Sequence, residues 1–223
     1  IHRNLSNKFR NLIKSICEMR EIDIKFSFID DNFYKFKNSL LPQFFNVEKS
    51  VKILKYFMEK VLVNISIPDF NKKIYIRRED SNYRKVLNEA DLIEKLKKRG
   101  FEIINPNHFE ILEQMKIFLN SELIISPHGS NLSNLIFCKK GTRVIEICPQ
   151  FDKSYEKNIS DRYEQLSLIT NLKYSKIISD SVDVSSHTKI AEKYINKKVL
   201  SESNYYKNLI IKVGEIDKII NNL

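Results

Sequence analysis

Glycine is scarce in this chain, with four in 223 residues, and no Gly-x-Gly-x-x-Gly run follows any strand-like segment. That absence excludes the fingerprint by which dinucleotides are held on a βα turn. Cys17, Cys138 and Cys148 are too few and too oddly numbered for a disulfide framework, and their apolar neighbours mark them as reduced core residues. His2, His108, His128 and His187 are scattered and no two cysteines lie close together, so no structural zinc cluster is expected. No apolar run approaches the ~18 residues of a membrane span. The chain opens Ile1, His2, Arg3, Asn4, which is neither a signal peptide nor an initiator Met, so it is expected to be part of a longer or processed chain. Few cysteines and no visible targeting segment point to the cytoplasm, with peripheral membrane association left open.

What is abundant is positive charge. Thirty-eight Lys and Arg against 28 Asp and Glu leave a net charge of +10, which favours anionic partners: nucleotides, nucleic acid or an acidic membrane surface. Lys95, Lys97, Lys98 and Arg99 lie along one helix and read as a solvated face. The length suits one large domain, or one domain with an extension, able to bury ~70% of its unfolded surface.

From residue 72 onward, short β-branched runs alternate with amphipathic segments at βα spacing. Residues 73–77, 101–104, 122–125, 143–148 and 174–178 read as strands. Residues 88–99, 110–119, 161–170 and 187–196 read as helices, the first stopped by Gly100 as a C-terminal cap. The pattern predicts an α/β fold with a doubly wound, largely parallel, Rossmann-like sheet and helical extensions at both ends. Residues 1–71 form an N-terminal segment with one helix near 51–61 and an isolated strand at 22–29. Residues 72–198 are expected to form the Rossmann-like domain, and 199–223 to end in a helix carrying Tyr206, Leu209, Ile210, Val213, Ile216 and Ile220 on one face.

Two loops on the carboxyl edge of this sheet carry the chemistry. After the third strand come Pro127, His128, Gly129, Ser130 and Asn131, a turn that opens into a short helix. A helix starting there directs unpaired N–H groups and its positive dipole end at the turn, so a phosphate or diphosphate is the expected guest. The alternative is that Ser130 or Asn131 merely caps the helix. After the first strand come Arg77, Arg78 and Arg84, whose guanidinium forks match phosphate oxygens, or which alternatively pair with Glu79, Asp80 and Glu89 on the surface.

Tyr75, Ile76, Arg77, Arg78, Arg84, Asn88, Glu89, Gly100, Phe101, Gln114, Pro127, His128, Gly129, Leu132, Asn134, Phe137, Val144 and Glu146 fall in an order and spacing that resembles glycosyltransferase family 61, over roughly residues 48–197. The resemblance implies the C-terminal, donor-binding half of a GT-B fold. It also implies a nucleotide-sugar donor, expected to be a UDP-sugar, a glycan or polysaccharide acceptor, inversion at the anomeric carbon, and neither metal nor cofactor. On it, Arg78 and Arg84 are the diphosphate clamp, with Arg77 a substitute for either. His128, the Gly129 amide and Ser130 hold the distal phosphate, with Asn131 and Asn134 as further donor-binding positions. Arg84 and His128 are the catalytic candidates, His128 through charge or, alternatively, as general base. Glu146 is expected to accept from ribose hydroxyls, or alternatively to cap the next loop. The family often has Ser where Arg77 stands and Ala where Ser130 stands. Seventy N-terminal residues are too few for a usual acceptor domain, so the base and acceptor recognition are expected outside this chain.

A serine hydrolase is disfavoured because the His128 turn lacks a nucleophile elbow's second glycine. Asp30 and Asp31 lack the spacing of a metal-binding acidic motif. The competing class is a non-catalytic nucleic-acid or anionic-polymer binding domain using the charge and the ten tyrosines, and a third is a transferase scaffold that binds no donor.

Overall fold

The computed structural model describes residues 6–19, 21–30, 32, 34–35, 51, 70–151, 160–182 and 203–221. The expected helices near 51–61 and 187–196 lie outside these, apart from Val51, which is helical. Residues 22–29 form no strand, and Ile29 alone is a bridge residue.

The remainder is an α/β fold. Its strands are β1 (Lys72–Ile76), β2 (Phe101–Ile104), β3 (Ser121–Pro127), β4 (Arg143–Pro149), β5 (Lys173–Val182) and β6 (Asn208–Ile210). Its α-helices are α1 (Asn7–Met19), α2 (Glu89–Lys98), α3 (Ile111–Leu119), α4 (Arg162–Ile169) and α5 (Val213–Asn221). The sheet order is β2-β1-β3-β4-β5-β6, parallel except for β5 with β6. β3 and β4 are buried along almost their whole length, as central strands covered on both faces must be.

Strand alternation divides the core in two. Ile74, Ile76, Ile124 and Val144 pack on one face with Phe118 of α3 and Tyr163 and Leu166 of α4. Tyr75, Leu123, Ile125, Ile145 and Ile147 pack on the other with Leu92 and Leu96 of α2 and Ile216 of α5. Helices therefore cover both faces, as a doubly wound sheet requires. Gly100, at φ +80°, closes α2 in the left-handed conformation that its place after the last lysines predicted. Glu110 and Glu113 open α3 with a reciprocal capping box.

The C-terminal segment differs from the single helix expected. It forms a 3-10 turn (Asn204–Tyr206), then β6, then α5. β6 gives the sheet a sixth strand and bonds on its other side to the loop after β1, through a bridge between Val86 and Leu209. No helix among the described residues is long and apolar enough to cross a membrane. From β1 the chain passes first to β2 on one side and then to β3 on the other, so the carboxyl ends of β1 and β3 flank the crevice where such sheets bind ligands.

Candidate functional site

Alternation past the end of β1 sends successive arginines to opposite faces. Arg77 turns toward α2, where its Nε and Nη2 donate to Glu89 Oε2 at 3.1 and 3.0 Å and its Nη1 pairs with Glu79 at 2.7 Å. Glu89 also accepts from the Tyr75 hydroxyl at 3.0 Å. The donor-binding part expected of Arg77 is thus corrected: it is an ion-paired strut away from the crevice. Arg78 faces the crevice, and its Nη2 donates to Ser81 Oγ at 2.7 Å.

Arg84 is only 3% exposed and holds a left-handed backbone at φ +57°. An arginine takes that conformation at a cost, so neighbouring structure must impose it. The C-terminal segment does. The Arg84 N–H donates to the Lys207 carbonyl at 3.0 Å, and Leu209 N–H to the Lys85 carbonyl at 2.8 Å. The Asn88 amide clasps the Ile211 backbone in both directions, at 2.7 and 3.0 Å. Tyr206 meets Tyr83 edge-on at 5.3 Å, and the Arg84 guanidinium lies 5.0 Å from the Tyr83 ring centroid.

Across the crevice, β3 delivers the second loop. The short helix expected after the turn is a 3-10 helix (Ser130–Phe137), tighter than an α-helix. Gly129 has an extended backbone at φ 174°, so no left-handed turn calls for glycine here. A Cβ at this position would instead overlap Arg78 Nη1 and come within 2.8 Å of its Cζ. Glycine here leaves room for the Arg78 guanidinium. Asn134 lies away from the crevice, and its donor-binding part is corrected too. Its side chain donates to Gln114 at 2.9 Å, tying the 3-10 helix to α3.

His128 lies beneath the turn with 1% exposure, between the rings of Tyr163 and Phe151. Its Nδ1 stands 2.5 Å from Glu146 Oε1, and the Tyr174 hydroxyl donates to Glu146 Oε2. A carboxylate only accepts, so Nδ1 carries the hydrogen. Burial pushes the imidazole below its ordinary range against the pull of Glu146, and Arg84 and Arg162 push the same way. Burial and Glu146 push the Tyr174 hydroxyl far up, which keeps it a donor. Glu146 is fully buried inside β4, three residues before the strand ends, with an oxygen given to each partner. The ribose contact expected of it is corrected to a buried anchor for His128 and Tyr174.

The two loops enclose a cavity of about 390 Å³, within the range of small-molecule sites. Arg78, Arg84, His128, Gly129, Ser130 and Asn131 of the expected set line it together, as do Asp80, Tyr83, Asn107, Arg162 and Tyr163. No aliphatic side chain contributes to its wall among the described residues, so the shape is that of a receptor for a polar, anionic guest. Arg162 escaped the sequence reading, although a signal was present. It opens α4, where the helix dipole disfavours a cation, so its position is explained better by the cavity than by the helix.

Two groups of residues have metal-ligand chemistry among those described. In the first, the 2.5 Å between His128 and Glu146 holds a proton, whereas zinc needs each ligand at ~2.0–2.3 Å and would have to part them. In the second, Glu79, Asp80 and His108 converge at 3.1, 2.6 and 3.3 Å on Nδ2 of Asn105, whose amide hydrogens occupy the place a cation would take.

The sequence carrying these loops has relatives. A family model described as Glycosyltransferase 61 matches residues 2–145, starting nearer the N-terminus than the motif resemblance and stopping at Ile145. The chain is similar to the EGF domain-specific O-linked N-acetylglucosamine transferase of Pan troglodytes, at 26% identity over 129 residues that cover 49% of this chain and 24% of that protein. The Mus musculus protein of the same name is 27% identical over 129 residues, with the same coverage. The chain thus spans about a quarter of the length of the curated relatives it matches. Since the match takes in well over half of the residues, including both loops of the cavity, the chain belongs to glycosyltransferase family 61.

Proposed function

We propose that this chain is the donor-binding half of a GT-B type glycosyltransferase, which takes a nucleotide-sugar, a UDP-sugar foremost, and passes its sugar to a glycan or polysaccharide acceptor. The observation that carries this reading is the convergence of Arg78, Arg84 and Arg162 with the Gly129–Ser130 turn on one cavity at the crevice between β1 and β3. Glycosyl transfer breaks the bond from the anomeric carbon to the diphosphate while the acceptor oxygen attacks, with inversion when attack comes from the opposite face. Charge then develops on the leaving diphosphate. Fixed guanidinium groups and turn amides stabilise it without reorganisation and supply the positive charge that a divalent cation supplies elsewhere. His128 adds a conditional charge. A diphosphate beside Arg84 and Arg162 offsets their push on the ring, so donor binding draws a proton onto the imidazole and turns it into a donor toward the phosphate.

Calorimetric titration tests this directly. UDP binds at a single saturable site ahead of GDP and CMP, and affinity for UDP-glucose, whose diphosphate diester does not titrate near neutrality, rises as pH is lowered from neutrality. Equal, steeply salt-dependent binding of nucleic acid and nucleotides would favour a polymer-binding domain instead. A folded sample that binds none of the three nucleotides defeats the proposal.

Gly129→Ala probes the same cradle. The obstructed atoms are the far end of a flexible side chain, so stability changes by less than ~1 kcal/mol. The displaced Arg78 guanidinium weakens UDP binding by about tenfold. Thermal unfolding and titration of the one variant separate the two effects.

A further inference from the structure

The cavity wall is not uniformly cationic: Asp80 stands on it with the three arginines. It pairs with none of them. Its Oδ2 accepts from the side-chain amides of Asn105 at 2.6 Å and Asn107 at 3.4 Å. Asn105 is itself buried at the end of β2, where its Oδ1 accepts from the Asn107 N–H at 3.1 Å and so fixes the 3-10 turn Pro106–His108 that delivers both amides. The loop after β2 therefore holds Asp80 by one oxygen. Among the described residues, Oδ1 accepts no hydrogen bond, and the side chain is 53% exposed.

A carboxylate so held repels phosphate and accepts strongly from O–H groups. Its presence beside an arginine clamp marks where the anionic part of a ligand ends and its hydroxyl-bearing part begins. We propose that Asp80 is a specificity-determining residue that binds hydroxyl groups of the donor next to its diphosphate, on either the ribose or the transferred sugar. This inference rests on the cavity being a nucleotide-sugar site. Asp80 is not placed as the catalytic base: hydrogen bonds from Asn105, then Asn107, hold its carboxyl below the ordinary range, which weakens it as a proton acceptor, while the ionised carboxylate still accepts hydrogen bonds through Oδ1.

Titrations of wild type, Asp80→Ala and Asp80→Asn with pyrophosphate, UDP and UDP-glucose test it. Pyrophosphate has charge and no hydroxyl-bearing sugar, so Asp80→Ala binds it as well as wild type or more tightly. UDP-glucose binding falls about tenfold or more, the loss for a hydrogen bond to a charged group, and Asp80→Asn, which keeps a carbonyl acceptor, recovers part of it. If UDP falls as much as UDP-glucose, the hydroxyls are those of the ribose. If UDP is unchanged while UDP-glucose falls, they are those of the transferred sugar. Equal loss of all three ligands, or loss of none, overturns the role of Asp80. Failure of wild type to bind any of them overturns the nucleotide-sugar reading, and this inference with it.

Discussion

Replacing Arg84 with alanine should lower UDP affinity by about 100-fold, close to 3 kcal/mol, while leaving the fold intact. No other cation of the cavity is both so buried and so firmly placed. Arg162 is exposed on the first turn of α4 and Arg78 is half-buried, whereas Arg84 is held from behind by β6. Alanine retains a Cβ, so the left-handed backbone at φ +57° is no more strained than before. Removing the guanidinium also withdraws a charge that depresses His128, so the variant loses part of the proton linkage along with the affinity. Arg84→Lys should not restore binding, because an ammonium is a point charge without the fork that spans two phosphate oxygens. Titration with UDP, checked against circular dichroism and thermal unfolding, measures both sides. A variant that binds UDP within roughly threefold of wild type would show that Arg84 serves the fold and not the ligand.

Much of this geometry was legible in the sequence because it follows from periodicity. The β-branched runs gave the parallel strands, and the topology of such sheets brought the loops after β1 and β3 to one edge. What escaped depended on partners distant in sequence. Residues 208–211 carry three adjacent apolar side chains that fit either a helix or a short strand, and the choice was made by β5 and residues 84–88, over a hundred positions away in the latter case. Arg77 and Arg78 differ by one step in an alternation that sequence reveals without saying which face meets α2. Glu146 shows a related difficulty. A carboxylate among Val144, Ile145, Ile147 and Cys148 in a strand buried on both faces needs internal donors, and these come from β5 and the turn after β3. Asp80 gained its orientation from Asn105 and Asn107, a third loop of the same edge whose asparagines carry no distinguishing pattern.

Glu146→Ala is expected to cost about 3 kcal/mol of stability, a fall of roughly 6–12 °C in Tm, because it leaves the His128 Nδ1–H and the Tyr174 hydroxyl facing an acceptor that is gone. Tyr174→Phe removes one hydroxyl and one bond and should cost about 1 kcal/mol. The double variant should lose less than the sum of the two, by about 1 kcal/mol, since the phenylalanine deletes a donor that the alanine had orphaned. The pH dependence identifies the third member of the unit. The His128 pKa is lowered on folding from an ordinary 6.5, so the unfolded chain takes up the proton first as pH falls. The stability contributed by the neutral ring is complete above that ordinary value and is lost below it, down to the folded pKa. In Glu146→Ala the carboxylate that opposed burial is absent, the folded pKa drops further, and the acid loss extends to lower pH than in wild type. His128→Asn should flatten this limb in either background. Urea unfolding at a series of pH values resolves all four cases, and a Glu146→Ala protein within about 1 kcal/mol of wild type, with an unshifted acid limb, would mean that the three side chains are neighbours without being a unit.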